Sequence, residues 1–566
     1  MLSVLPKVTA LKEKQIGTFA GLDRRAGAKE NTFSDLMGTE IPNGNYIETF
    51  SRLYSVNLSL AERSNNFISI KNSSGETDIY CLGPGGFYKN DVLLPLFIGN
   101  TSADISWGEQ FTSDLSLSGD RNDRKWTGSY KDTKLIRYGD YIFALPQMIY
   151  TDGEKTMCWN LTAFADIKDS YLTDSAEGIV IKRNESWLNG IAWGLGIGDK
   201  IQVYVDGRKR GGTFTIVNKG YNSMTISYVL SDGSQYSASN LFVSGTQSQI
   251  MICLAQFPKL TDVTVAYNRL WGVAGNRVYA SKLARPFSFS EYDGGESDAW
   301  WADTDDSSDF TAITSLNGRI VAFKPTSTFE IYGTVNPYTI KNVSLSMGCI
   351  SRDSAKEANG VLFISSKEGI TVYGGAKFVN IGKPLNSICE NACGVGIGSK
   401  YYMYSDGKLY KYDYYTGIWV ILLSLNLSII YAVDGDLFAT TQSGDVIQIT
   451  GEKKEFLSYN ENLSYNWMIQ STDIGGNDFY AEGISRLELR FESQASGWVH
   501  VEVSRDGGEY ESYGKKIVES GWHIFSVPIS FKPCSRLRYR ITGSGAMRLK
   551  LVKYSYRKVG RADIYE

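Results

Sequence analysis

Histidine is nearly absent from this 566-residue chain, which contains only His500 and His523. Each lies in an alternating, strand-like stretch, where a position facing solvent explains it better than acid–base catalysis. The chain also lacks the G-x-S-x-G, H-E-x-x-H and G-x-x-x-x-G-K-S/T patterns of common hydrolases and nucleotide-binding enzymes. The sequence therefore predicts a protein that is not an enzyme and that binds no cofactor.

Metal sites and disulfide frameworks also lack their usual patterns. Of the seven cysteines only Cys389 and Cys393 are close together, as C-x-x-x-C, and no histidine lies near them to complete a zinc site. We expect reduced, mostly buried thiols. The acidic run DTDDSSDF (303–310) is similar to a calcium loop, but serine and threonine replace its glycine and glutamate, so a solvated connection is favoured.

Long apolar runs are missing as well. No stretch approaches the roughly 18 residues that a membrane-spanning helix needs. The opening stretch MLSVLPKVTALKEKQIGTF has no sustained apolar segment, so we expect no signal peptide and a cytosolic origin. A net charge of −3 excludes a strongly basic surface over the whole molecule.

Aromatic residues and glycine are what the chain does have, with 36 tyrosines, 12 tryptophans and 57 glycines. This composition is typical of strands and turns. NRLWGVAGNRVYASKL (268–283) reads as strand, turn and strand, and similar hairpins recur at 138–153, 316–333, 358–375, 397–413 and 433–451. A spacing of about 35–50 residues with strands throughout is the signature of propeller blades. We expect an all-β fold with a β-propeller of about six or seven blades.

Two segments interrupt this period. About 100 residues lie between Tyr150 and Met251, too many for one blade, which predicts a small inserted β domain. The last hundred residues contain longer alternating strands, typical of a β-sandwich of jelly-roll type. The predicted organisation is an N-terminal arm (1–54), first blades (55–164), an inserted domain (165–250), remaining blades (251–465) and a C-terminal sandwich (466–566).

A basic run marks the predicted sandwich, because residues 532–561 contain ten lysines or arginines and no acidic residue. Arg536, Arg538 and Arg540 would share one strand face, with apolar residues on the other. Together with Arg548 and Lys550 they form a candidate face for DNA or an acidic partner. A solvated outer sheet face, which lysine and arginine keep soluble, is the favoured alternative.

SRDGGEYE (504–511) resembles the Asp-box turn of sialidases, although Glu511 replaces the aromatic residue. That box is structural, and glycoside hydrolysis needs two facing carboxyl groups that sequence alone does not pair.

Three further stretches carry a resemblance to a known family. They are FAGLDRRAGAKENTFSDLMGTEIPNGNYIETFSRLYSV (19–56), the run from NRLWGVAGNRVYASKLARPFSF to DFTAITSLNGRIVAFKPTSTFEIYG (268–333), and KLYKYDYYTGIW (408–419) with the terminal sandwich. Here the chain resembles the β-propeller tail proteins of tailed bacteriophages, particularly the hub or nozzle type. The resemblance spans most of the chain, and its motifs mark blades rather than a ligand site.

The resemblance implies a structural role in the virion tail. Such hubs form rings, often of six copies, that extend the portal and adaptor channel through which DNA leaves. The N-terminal arm, with Phe19, Leu22, Arg24 and Arg25, would contact a neighbouring subunit or the adaptor, and the basic strands would face DNA or a partner. Two alternatives stay open: a distal tail protein that binds a receptor or surface glycan, and a propeller hydrolase of glycans.

Overall fold

The computed structural model describes residues 10–560 apart from 50–51, 61, 65, 98–116, 119–124, 131–132, 148, 159–160, 167–169, 184–196, 206–207, 221–222, 242–248, 255–257, 287, 290–293 and 476–479. Strands dominate these residues, and the helical segments are short: α1 (Ala238–Leu241) and 3-10 turns at Pro42–Gly44, Arg352–Ser354 and Lys383–Leu385. The all-β prediction is confirmed. The chain divides into two compact units, a split unit (Met1–Leu58 with Lys356–Glu566) and a central unit (Ser59–Ala355).

Five short strands open the described chain. They are β1 (Lys12–Ile16), β2 (Phe33–Met37), β3 (Thr39–Glu40), β4 (Ile47–Thr49) and β5 (Arg52–Ser59).

Three small sheets begin the central unit, one of them with only two strands. Their strands are β6 (Ile68–Lys71), β7 (Thr77–Gly83), β8 (Gly86–Lys89), β9 (Val92–Leu93), β10 (Leu96–Phe97), the paired β11 (Leu117–Ser118) and β12 (Lys125–Trp126), β13 (Lys134–Tyr138), β14 (Tyr141–Leu145), β15 (Ile149–Thr151) and β16 (Thr156–Cys158). The first sheet has the order β6-β7-β8-β9, and the second has the order β10-β16-β15-β14-β13.

The segment predicted as an insertion forms one seven-stranded sheet with the order β17-β23-β20-β21-β22-β19-β18. Its strands are β17 (Leu161–Asp166), β18 (Ser170–Ser175), β19 (Gly178–Arg183), β20 (Lys200–Val205), β21 (Arg208–Lys219), β22 (Ser223–Ser227) and β23 (Gln249–Leu254). Alternating residues such as Ile201, Val203 and Phe214 are buried in a core of its own. The sheet starts before residue 165 and ends after residue 250, the predicted bounds.

Two four-stranded meanders complete the central unit. They contain β24 (Asp262–Ala266), β25 (Arg269–Ala274), β26 (Arg277–Ala280) and β27 (Trp300–Asp303), then β28 (Ala312–Leu316), β29 (Arg319–Phe323), β30 (Thr328–Tyr332) and β31 (Thr339–Ser344).

The split unit continues with three more antiparallel sheets. Their strands are β32 (Lys356–Ala358), β33 (Val361–Ser366), β34 (Gly369–Tyr373), β35 (Phe378–Asn380), β36 (Cys393–Ile397), β37 (Lys400–Ser405), β38 (Lys408–Asp413), β39 (Ile418–Ser424), β40 (Leu427–Val433), β41 (Asp436–Thr441), β42 (Asp445–Gln448) and β43 (Tyr459–Ser464). In the third sheet β5 lies between β42 and β43, so an N-terminal strand completes a sheet of C-terminal strands.

Two-residue turns explain why these hairpins form where they do. Asn317-Gly318, Asn359-Gly360, Asp406-Gly407 and Asp434-Gly435 all have positive φ at both turn residues. Positive φ at both positions defines the type I′ turn, which matches the twist of the flanking strands and favours Asn-Gly and Asp-Gly. These four hairpins are therefore specified locally.

The last strands build two sheets that share one core, as a sandwich requires. They are β44 (Asn466–Ser471), β45 (Ile474–Gly475), β46 (Tyr480–Ser493), β47 (Gly497–Arg505), β48 (Glu511–Val518), β49 (Gly521–Pro528), β50 (Arg536–Ser544) and β51 (Met547–Gly560). The front sheet has the order β2-β44-β50-β47-β48, with β45 on β50. The back sheet has the order β3-β4-β51-β46-β49, with β1 on β51. Inward residues of both, such as Val501, Tyr539, Leu489 and Val552, are buried together.

Candidate interaction surfaces

The three arginines of β50 lie on the outer face of the front sheet. Burial alternates along β50, with Leu537, Tyr539 and Ile541 buried, so the predicted division of this strand into two faces is confirmed. The next two basic residues, Arg548 and Lys550, belong to β51 in the back sheet. Because the two sheets pack through their inner faces, these residues lie on the opposite outer face of the sandwich. The single basic face predicted from 532–561 was therefore wrong, and the structure contains two separate surfaces.

Acidic side chains from distant segments neutralise much of this basic run. Arg538 Nε lies 2.5 Å from Asp473 Oδ1, and Arg540 Nε lies 2.7 Å from Glu502 Oε2. The Arg540 guanidinium also lies 3.8 Å from the centre of the Tyr510 ring. These contacts explain why a run without acidic residues does not give a strongly positive surface. Contact of this surface with DNA stays a prediction.

The back-sheet residues are partnered in the same way, by the N-terminal segment. Arg548 Nε lies 2.9 Å from Glu48 Oε1, and Lys550 Nζ lies 3.9 Å from the centre of the Tyr46 ring. Both partners belong to the segment that carries β4. The ion pair and the cation–π contact therefore hold this segment on the sandwich.

The N-terminal segment is not a free arm. Phe19 and Leu22 are each 2% exposed, and the Leu22 amide donates to the Trp419 carbonyl at 2.8 Å. Its strands pair with β44 and β51 of the sandwich. The prediction that Phe19 and Leu22 contact a neighbouring subunit was wrong, because these apolar side chains are buried in the core of their own chain.

The two arginines of this segment also find partners nearby. Arg24 Nη2 lies 3.2 Å from Asp35 Oδ1 and its Nη1 donates to the Tyr410 hydroxyl at 3.4 Å. Arg25 forms two bonds to the Asp23 carboxylate, at 2.8 and 2.7 Å. These bonds lower the pKa of the Asp23 carboxyl. Arg25 is half exposed and remains open to a partner, whereas Arg24 fastens the segment to its own unit.

The candidate catalytic and metal residues have structural roles. Arg277 forms two 2.6 Å hydrogen bonds to Asp303, lowering the pKa of that carboxyl. His500 Nε2 lies 2.7 Å from Ser512 Oγ, and His523 Nε2 lies 2.8 Å from the Glu519 carbonyl oxygen. In the part of the chain that the structure describes, no group of three His, Cys, Asp or Glu residues could hold a metal ion.

The sequence interpretation missed two features. Trp522 and Ile524 of β49 are 66% and 59% exposed on the outer face of the back sheet. Lys324 is fully buried. Alternation along β49 indicates that one side of the strand faces outward. In a sequence, however, an apolar residue on that side cannot be distinguished from a residue of the core. A lysine gives no sequence signal of burial.

No family model matches this chain, and no curated protein matches it. Among solved structures, the extracellular domain of a one-component system from B. thetaiotaomicron is 10% identical and covers 86% of this chain and 98% of its own, with a TM-score of 0.25. An exo-β-1,3-galactanase from Phanerochaete chrysosporium is 12% identical, covers 51% of this chain and 96% of its own, and has a TM-score of 0.19. A family 43 arabinoxylan arabinofuranohydrolase from Bacillus subtilis is 10% identical, covers 75% and 95%, and has a TM-score of 0.18.

Two of these three structures carry the names of glycan-degrading enzymes, and this finding overturns the prediction that the chain is not an enzyme. That prediction rested on missing motifs. Glycoside hydrolysis requires two carboxyl groups about 5–10 Å apart, and no sequence motif marks such a pair. TM-scores this far below 0.5 assign no function to this chain.

Proposed function

We propose that this chain is a building block of a bacteriophage tail, in which copies of it assemble into a ring around the genome channel. The residue patterns at 19–56, 268–333 and 408–419 support this role, as does the strand composition of the chain. The proposal includes a propeller whose blades are the seven small sheets built from β5–β10, β13–β16 and β24–β43. A propeller is rigid and leaves only short edges, which suits a part that resists the pressure of packaged DNA.

An exposed apolar strip on the sandwich carries the proposal of assembly. The strip consists of Trp522 and Ile524, neighbours on the outer face of β49. A tryptophan beside an isoleucine on an outer face is costly to leave in water and is typical of the centre of a protein interface. The strip therefore favours burial against another protein.

The residues beside the strip point to a second copy of this chain as the partner. Arg486, Glu488, Arg490 and Glu492 alternate in sign along the outer face of β46, and Arg490 and Glu492 are directly opposite Ile524 and Trp522 in the sheet register. An antiparallel copy of an alternating row brings opposite charges together. The row and the strip thus form a surface that complements itself and joins two copies as a pair, so closing a ring also requires a second, different interface.

Particle composition tests the tail role. Phage particles would be banded on a density gradient from a lysate that contains this chain, and their proteins measured by quantitative peptide mass spectrometry. We expect the chain in tail-bearing particles at several copies per particle. Its absence from banded particles, with the chain left in the soluble fraction, would contradict the proposal.

A glycoside hydrolase is the second candidate, because glycan-degrading enzymes are named among the matched structures. The purified full chain would be incubated with arabinoxylan and with β-1,3-galactan, and released reducing sugar measured. Release above a heat-denatured control would support this candidate. If neither glycan releases sugar, arabinoxylan and β-1,3-galactan are excluded as substrates. This outcome does not depend on whether the chain is found in phage particles.

A further inference from the structure

Lys324 and Asn276 bring two neighbouring sheets of the central unit together. Asn276 lies in the turn between β25 and β26, and Lys324 directly follows β29. The two sheets share a core that includes Trp271, Val278 and Ile320. The Lys324 Nζ lies 2.6 Å from the Asn276 Oδ1, across 48 positions of sequence.

The surroundings of Lys324 are unusual for a lysine. Its side chain is fully buried, and its Nζ lies 5.0 Å from the centre of the Phe310 ring and 5.7 Å from that of Phe329. The carboxylate of Asp306 is 3.9 Å away, and Nζ donates at 2.5 Å to the backbone carbonyl of the same residue. An ammonium is costly to bury, and the Asp306 carboxylate at 3.9 Å offsets only part of that cost. Burial lowers the pKa of Lys324 and so favours the neutral, nucleophilic amine.

The Asn276 amide is fixed and polarised. Its Nδ2 donates to the Thr304 carbonyl at 2.9 Å, and its Oδ1 accepts from the Thr304 hydroxyl at 2.5 Å as well as from Lys324. Donors on a carbonyl oxygen stabilise the negative charge that develops there when a nucleophile attacks the carbon. The amine and the amide are therefore held against each other in a site walled by aromatic rings.

We propose that Lys324 and Asn276 join in an intramolecular isopeptide bond. The neutral Lys324 Nζ attacks the Asn276 Cγ, while the Thr304 hydroxyl stabilises the oxygen. The bond from Cγ to Nδ2 breaks, a proton passes from Nζ to Nδ2, and ammonia leaves. The product is a secondary amide, and the reaction needs no oxidant or other reagent.

The bond would tie the turn after β25 to the end of β29, two adjacent sheets that otherwise share only non-covalent contacts. A covalent link between residues 48 positions apart restricts the unfolded chain as a disulfide does. It also forms without the oxidising environment that a disulfide requires.

Mass spectrometry of the full chain under denaturing conditions tests the bond. Loss of ammonia makes the chain lighter than its sequence mass by about 17 Da. Tryptic digestion should yield a linked peptide that contains both residues, and this peptide is the readout because Pro325 blocks cleavage after Lys324 in either case. An unchanged mass with the two peptides recovered separately would overturn the proposal. A mass loss without the linked peptide would also overturn it, because a cyclised asparagine loses the same mass.

Variants assign the linkage to this pair. Asn276→Ala and Lys324→Arg should each retain the full mass calculated for the variant, and denaturing conditions make this measurement independent of folding. Lys341→Arg, on β31 of the same sheet as Lys324, is the matched control and should still be lighter by about 17 Da. If the Asn276→Ala chain is still about 17 Da lighter than its calculated mass, the assignment to this pair is contradicted.

Discussion

Charged side chains of the C-terminal strands find their partners far away in the sequence. Arg548 pairs with Glu48 of the N-terminal segment, and Arg538 pairs with Asp473 of the loop that precedes β45. Local charge counts over 532–561 therefore overstate the positive charge of the surface. Alternation along β50 could be predicted because it depends on residues two apart, whereas the ion pairs depend on which strands become neighbours.

Leu22 tests whether the N-terminal segment is part of the fold. It is 2% exposed, so Leu22→Ala removes buried apolar contacts and should lower the free energy of unfolding by about 2–5 kcal/mol. Chemical denaturation followed by tryptophan fluorescence measures this. Lys29→Ala, an exposed change in the same segment, should stay within about 0.5 kcal/mol of the parent. Equal stability of the two variants would mean that the segment is not packed as described.

Glu511 gives the sandwich a pH dependence. Bonds from the Tyr513 hydroxyl, Lys532 and Arg505 lower the pKa of its carboxyl to about 2. A carboxyl whose pKa is lower in the folded state stabilises the fold above its unfolded pKa and loses that contribution as the pH falls. Glu511→Gln should therefore lower the urea midpoint at neutral pH and flatten its decline from about pH 4.5 to about pH 2.

Glu509→Gln is the matched control for this profile, since Glu509 is an exposed carboxylate in the same turn. It should keep the slope of the parent chain. Identical profiles for the parent and Glu511→Gln would show that the Glu511 contacts do not form in solution.

At the scale of elements, turns were predictable and strand partners were not. Asn-Gly and Asp-Gly dipeptides mark the hairpins of the repeated sheets because the turn conformation is a property of those two residues. The pairing of β1 with β51 joins the two ends of the described chain. No local pattern specifies such a contact, which explains why residues 1–54 were predicted as a separate arm.

The apolar strip on β49 should drive association of the full chain. Ile524→Lys places a charge in the strip, where an unpaired charge is costly to bury. The change should therefore weaken self-association by about tenfold or more. Sedimentation velocity over a concentration series measures this. Leu345→Lys, at another exposed apolar position in the central unit, should leave association unchanged. Equal weakening by both changes, or by neither, would contradict the role of the strip.

At the scale of the whole molecule, the seven repeated sheets, the seven-stranded sheet and the sandwich account for almost all described strands. The repeat period predicted the repeated sheets, and the interruption of that period predicted the seven-stranded sheet. Cleanly alternating long strands predicted the sandwich. Enzymatic activity could not be excluded in the same way, since carboxyl groups that act together are brought together only by the fold.

The most direct test of the tail role is cryo-electron microscopy of intact particles from a lysate that contains this chain. We predict a ring of copies on the tail side of the portal and adaptor, with density for the repeated sheets and the sandwich of each copy. Within pairs of adjacent copies the two β49 faces should be in contact. Particles whose tails are fully accounted for by other proteins would contradict the account.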